Sequence, residues 1–102
     1  LPDRRPQIVY ASTRDWADAN ADTLKAFRAS IEEAAVIVNE NPDKGRQAIA
    51  NFTKIPLEVL STMKLSFSDP KIDTEQLDWW VATMEEQDML QGKPDTATLI
   101  QQ

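Results

Sequence analysis

Two prolines decide most of what this chain can become. Pro42 and Pro56 stand in the stretch NENPDKGRQAIANFTKIPLEVL, from Asn39 to Leu60. A proline inside a helix removes an amide donor and clashes with the preceding turn, so neither residue can sit in the middle of one. Each fits the start of a helix. Asn41 can cap, Pro42 suits the first helical position, and Asp43 places a negative charge in the first turn, where it favours the helix dipole. Ile55-Pro56-Leu57-Glu58 repeats the pattern about one short helix later. The chain must therefore fold as a series of helices with corners at these points.

The rest of the helical pattern follows from apolar spacing. Ser12 or Thr13 can cap a short helix through Trp16 and Ala19, and Asn20 can cap the next. Leu24, Phe27, Ile31, Ala34, Ala35 and Val38 then recur at steps of three and four, which predicts one buried stripe ending near Asn39. The third helix carries Ala48, Ile49 and Phe52, and the fourth carries Leu57, Leu60 and Met63. Residues 65–70 break the pattern and read as extended. Asp73 or Thr74 caps a fifth helix with Leu77, Trp80, Val81 and Met84 on one face, running to about Met89. Gly92 and Pro94 end it, and Asp95 can cap a last turn through Leu99 and Ile100.

Ahead of the helices, residues 1–7 are rich in proline and charge. Gln7 to Ala11 (QIVYA) is a short β-prone run, too short to make a sheet alone. The expected organisation is an extended lead-in and strand over residues 1–12, then a helical portion over residues 13–102.

Composition removes several classes of function. Eleven basic residues against 17 acidic ones leave a net charge of −6, without the basic patch that phosphate contacts need, so nucleic acid is not an expected partner. No apolar run approaches the roughly 18 residues of a membrane span. Cysteine and histidine are absent, which removes thiol nucleophiles, zinc-thiolate sites, and the commonest general base and metal ligand. The chain begins Leu1-Pro2-Asp3 without an initiator methionine or an apolar leader, and so reads as a fragment.

No catalytic or metal site is expected in what remains. Asn39-x-Asn41-x-Asp43-x-Gly45 departs from a calcium loop: its glycine comes one position late, a proline interrupts it, and Ala50 stands where the bidentate glutamate belongs. Glu32-Glu33 and Glu85-Glu86 are helix neighbours pointing about 100° apart, so they cannot face each other across a pocket. Asp15, Asp18 and Asp22 read as a solvated flank. No cofactor is implied. Trp79 and Trp80 are consecutive on a helix and cannot both enter the same core, which makes Trp79 a candidate contact with something outside the chain.

From about Ile8 onward the chain resembles the C-terminal part of periplasmic substrate-binding proteins of ABC importers. The nearest group is the NMT1-like family that binds nitrate, sulfonates, taurine or thiamine precursors. Ala11-Ser12, Trp16, Asn20, Phe27, Asn39 to Pro42, Phe52-Thr53, Pro56, Asp69-Pro70 and Leu99-Ile100 carry the resemblance. Ala21 departs from the family's usual proline after the cap.

The resemblance implies a mostly α-helical fragment of a two-lobed α/β periplasmic-binding-protein fold, with about five helices and a short N-terminal strand. QIVYA would be a crossover or adjoining strand. The implied function is capture of a small anionic or organic solute between two lobes, outside the cytoplasm, and delivery to an ABC permease. Most ligand-binding residues would then lie in an N-terminal part that this chain lacks. The alternative is a free-standing helical interaction module. The fragment reading leaves apolar surface at Tyr10 and Trp79, from which self-association of the chain is expected, whereas a strict monomer would favour the interaction module.

Overall fold

Five α-helices form among the described residues, in the order α1 (Arg14–Ala19), α2 (Ala21–Glu40), α3 (Pro42–Thr53), α4 (Leu57–Leu60) and α5 (Thr74–Glu86). A 3₁₀ turn, Thr96–Thr98, follows them. The computed structural model describes residues 4–101; Leu1, Pro2 and Asp3 of the lead-in and Gln102 lie outside the described residues. No strand forms among the described residues, so the fold is helical throughout.

The chain divides into two compact units. One is Ser12–Pro70, and the other joins the segment ending at Ala11 to the stretch from Lys71 onward.

In the first unit the caps sit where the sequence places them, with one reassignment. Thr13, rather than Ser12, accepts the Trp16 amide and starts α1. Asn41 accepts the Lys44 amide with Pro42 at the first helical position, so the corner between α2 and α3 is capped as expected. Asn20 stands at the boundary of α1 and α2 but does not cap α2. Its side chain instead donates Nδ2–H to the Trp16 carbonyl, closing the end of α1. A carbonyl orphaned at a helix C-terminus needs such a donor.

The core of this unit is small. Ala17, Ala35, Leu60 and Gly45 are buried, and Leu24, Ile31 and Val38 are half-buried along α2. Gly45 is where α3 closes on α2: a Cβ there would stand 3.1 Å from Val38 Cγ1 and 3.3 Å from Leu65 Cδ1. The expected stripe on α2 is narrower than its spacing suggested. Phe27 is 41% exposed and Ala34 is exposed; both lie on one edge of the Leu24–Ile31–Ala35–Val38 line rather than at its centre.

The fourth helix is also shorter than expected. It ends at Leu60, leaving Met63 exposed. Arg46 terminates this region by donating Nε–H to the Leu60 carbonyl and Nη2–H to the Met63 carbonyl, both at 3.2 Å. Residues 64–70 carry no regular structure, yet they are tied down. Asn39 donates Nδ2–H to the Ser68 carbonyl at 2.7 Å and accepts the Ser68 amide at 3.0 Å. One side chain thus supplies both halves of a strand-like pair.

In the second unit α5 carries a full capping box. Asp73 accepts the Gln76 amide while Gln76 Oε1 accepts the Asp73 amide. The helix stops at Glu86 rather than near Met89. Asp88 turns into the left-handed region at φ 54, and the Met89 and Asp88 amides bond back to the Met84 and Glu85 carbonyls. This two-bond arrangement closes a helix end whose next residue cannot continue it. Asp95 accepts the Ala97 amide at the start of the 3₁₀ turn. Thr96, itself buried, donates to Asp78 at 2.6 Å and holds that turn on α5.

The strand expected at Gln7–Ala11 does not form. Residues 7–11 carry neither helix nor strand, and Ile8 and Tyr10 are 88% and 76% exposed. A strand is defined by a neighbour that satisfies its backbone groups, and no second β-prone run among the described residues supplies one.

Candidate interaction surface

The aromatic pair singled out in the sequence lies on α5 and is covered in part by the chain's own lead-in. Trp79 and Trp80 meet edge to face, with ring centroids 4.9 Å apart and planes at 85°. The Arg5 guanidinium lies over the Trp79 ring, 5.5 Å from its centroid. Trp80 donates its indole N–H to the Pro6 carbonyl at 2.9 Å, and Gln76 donates Nε2–H to the Arg4 carbonyl at 2.9 Å. Residues 4–6 are thereby strapped across α5.

Helical geometry explains the division of labour. Gln76, Trp79 and Trp80 stand three and four residues apart on one side of α5, so their heads converge on the same stretch of chain. Gln76 serves two partners at once: its oxygen closes the capping box and its nitrogen holds the strap. That double use accounts for the burial of a polar residue at this position. The strap has a strained side. Arg4 adopts φ 59, a left-handed conformation that costs a non-glycine residue about 1–2 kcal/mol. Arg5 Nε is shielded from solvent without a hydrogen-bond partner among the described residues.

The two residues proposed as interface positions therefore stand differently. Trp79 is half-buried under Arg5 and against Trp80, whereas Tyr10 is exposed on the segment that follows the strap. Arg5, Pro6 and Gln76 were not read from the sequence as parts of this surface. Consecutive tryptophans and a lead-in rich in arginine and proline were both visible, but more than seventy positions separate them in the chain.

The remaining surface offers little concave chemistry. A shallow depression of about 470 Å³ is lined by Thr74, Asp78, Lys93, Pro94, Asp95 and Thr96 among others. Its two carboxylates are engaged, Asp78 by Thr96 and Asp95 by Ala97. Among the described residues no group of three or more acidic, histidine or cysteine side chains could hold a metal ion. No described helix is long and apolar enough to cross a membrane.

Large apolar side chains are exposed in both units. Phe52 at 89% and Phe67 at 76% stand out in Ser12–Pro70, together with Trp16, Val36, Ile37, Leu57 and Val59. No protein-family model, curated protein or solved structure matches the chain.

Proposed function

We propose that the chain is the helical C-terminal part of the solute-binding component of an ABC importer, which captures a small anionic or organic solute and delivers it to a membrane permease outside the cytoplasm. One observation carries the reading: the helices expose far more surface than they need to. The accessible area is 8437 Å², whereas even two free-standing globules sharing the chain's mass would expose about 7,000 Å². The difference fits helices that cover a sheet supplied elsewhere in a larger protein.

The corner residues support the same reading. Thr13, Asn41 with Pro42, Pro56, Asp73 and Asp95 all start helical segments, and the spacing of these junctions is the texture on which the resemblance rests. In such a protein the chain would do no covalent chemistry. Its part is to hold one lobe rigid while the two lobes close about the solute.

The test is a thermal-shift screen of the complete gene product against nitrate, alkyl sulfonates, taurine and pyrimidine precursors of thiamine. A ligand at about a hundred times its dissociation constant stabilises the folded state by roughly 2.7 kcal/mol, which a melting curve resolves easily. One solute class is expected to raise Tm and the others to leave it unchanged. A flat response across the panel would remove the transport reading and favour the helical interaction module.

A further inference from the structure

Gln76 is the point at which two separate pieces of order meet. Its carboxamide is a planar group with an acceptor at one end and donors at the other. Oε1 accepts the Asp73 amide at 3.0 Å, and Nε2 donates to the Arg4 carbonyl at 2.9 Å. The residue is buried, so water does not readily replace either partner. Turning the plane by half a rotation would set the nitrogen against the Asp73 N–H and the oxygen against the Arg4 carbonyl, and both bonds would be lost together. We propose that the strap is a latch: docking of residues 4–6 and closure of the capping box at the start of α5 are one coupled event. The inference concerns the folded chain itself and does not rest on the transport reading.

The anchors on either side of Gln76 build the coupling. One turn further along α5, Trp80 donates its indole N–H to the Pro6 carbonyl and the Arg5 guanidinium lies over the Trp79 ring. These contacts hold the strap backbone where the Arg4 carbonyl meets Gln76. On the other side the Asp73 carboxylate accepts the Gln76 amide at 2.9 Å, which fixes the Gln76 backbone where its side chain reaches both partners. With the strap away, the side chain regains its rotamers, and the bond to the Asp73 amide must form against that freedom. With the strap docked, the freedom is already gone. Each half of the latch makes the other easier to close, and by the same factor, because coupling between two equilibria is reciprocal.

The consequence lies in the chain order. The second unit is built from two stretches distant in sequence, the segment ending at Ala11 and the stretch from Lys71 onward, and the latch joins them. Arg4 and Gln76 are 72 positions apart. Whatever displaces the strap also loosens the first turn of α5, and whatever holds the strap in place firms that turn. The N-terminal segment is a control element for α5 rather than a passive lead-in.

Hydrogen exchange in the 102-residue chain, followed by NMR, tests the coupling in both directions. Trp80→Phe keeps an aromatic ring but deletes the donor to Pro6. Asp73→Ala deletes the carboxylate half of the capping box and alters no strap residue. The Met89 amide, bonded to the Met84 carbonyl beyond the far end of α5, reports any opening of the helix as a whole.

The latch predicts that Trp80→Phe speeds exchange of the Asp73 amide by about fivefold, the weight of one net hydrogen bond. Asp73→Ala should speed exchange of the Trp80 indole N–H by about the same factor, with the Met89 amide changing by less than about twofold in each. An Asp73 amide indifferent to Trp80→Phe, or an indole indifferent to Asp73→Ala, overturns the proposal. So does equal acceleration at Met89, since α5 would then open as one body with no particular hold of the strap on its first turn. Gln76→Glu supplies the second measurement. It keeps an oxygen for the Asp73 amide but loses the donor to Arg4, so in its background Trp80→Phe should leave the Asp73 amide unchanged. A fivefold effect that persists there would mean that the coupling does not run through Gln76, and would overturn the latch.

Discussion

Asn39→Ala is the sharpest test of how the first unit holds its irregular segment. In the structure Asn39 forms two part-buried hydrogen bonds with the Ser68 backbone, one in each direction, at 2.7 and 3.0 Å. Each such bond contributes about 1 kcal/mol net, so alanine should cost about 2 kcal/mol, or about 10 °C in Tm for a domain of this size.

Asn39→Asp separates the two bonds. Its carboxylate can still accept the Ser68 amide, but it faces the Ser68 carbonyl with charge in place of a donor. Protonating that carboxyl restores an O–H donor, so its folded pKa should lie above the ordinary aspartate value of about 3.9. The stabilisation is then fully present below the unfolded pKa and is lost as pH rises through the folded one. Relative to wild type, the Asp variant should gain stability as the pH is lowered towards 4. Urea melts followed by circular dichroism give both numbers. An alanine variant within about 0.5 kcal/mol of wild type, with an Asp variant whose deficit ignores pH, would refute the two-bond account.

Further outcomes follow from single residues. Lys54 closes α3 at φ 64, so Lys54→Gly should raise stability by about 1 kcal/mol in thermal melts. Gly92 lies at φ 77 with open space where a Cβ would go, so Gly92→Ala should cost about 1 kcal/mol for backbone reasons alone. Gly45→Val forces branched atoms against Val38 and Leu65 and should cost about 2–3 kcal/mol in urea melts. Phe27→Ala should cost about 1–2 kcal/mol rather than the 3–5 typical of a buried phenylalanine, because its ring is 41% exposed.

Local chemistry made much of the fold readable in advance. Asn41, Pro42, Asp73 and Asp95 act on residues within one turn of themselves, so their roles follow from composition and order. The stripe through Leu24, Ile31, Ala35 and Val38 follows from helical period. Other features depend on distant partners. Asn39 looks like a helix terminator in sequence, yet its side chain serves Ser68, and Arg46 looks like an ordinary surface cation, yet it caps the carbonyls of Leu60 and Met63. The QIVYA run shows the converse error, since β propensity is a preference that only a neighbouring strand can realise. The strap surface is half legible: consecutive tryptophans on a helix mark the surface in the sequence, but that Arg4 and Pro6 offer their carbonyls to α5 depends on the fold.

The central claim is that these helices are the covering layer of a larger solute-binding protein, and solvent footprinting tests it most directly. Ile8, Tyr10, Phe52 and Phe67 are all strongly exposed in the chain. Carbene labelling of these four would be compared between the dilute 102-residue chain and the complete gene product. The account predicts that labelling falls by about fivefold or more in the complete protein, as it does when an exposed apolar side chain enters a core. Equal labelling in the two would mean that nothing else in the protein covers this surface, and would contradict the claim.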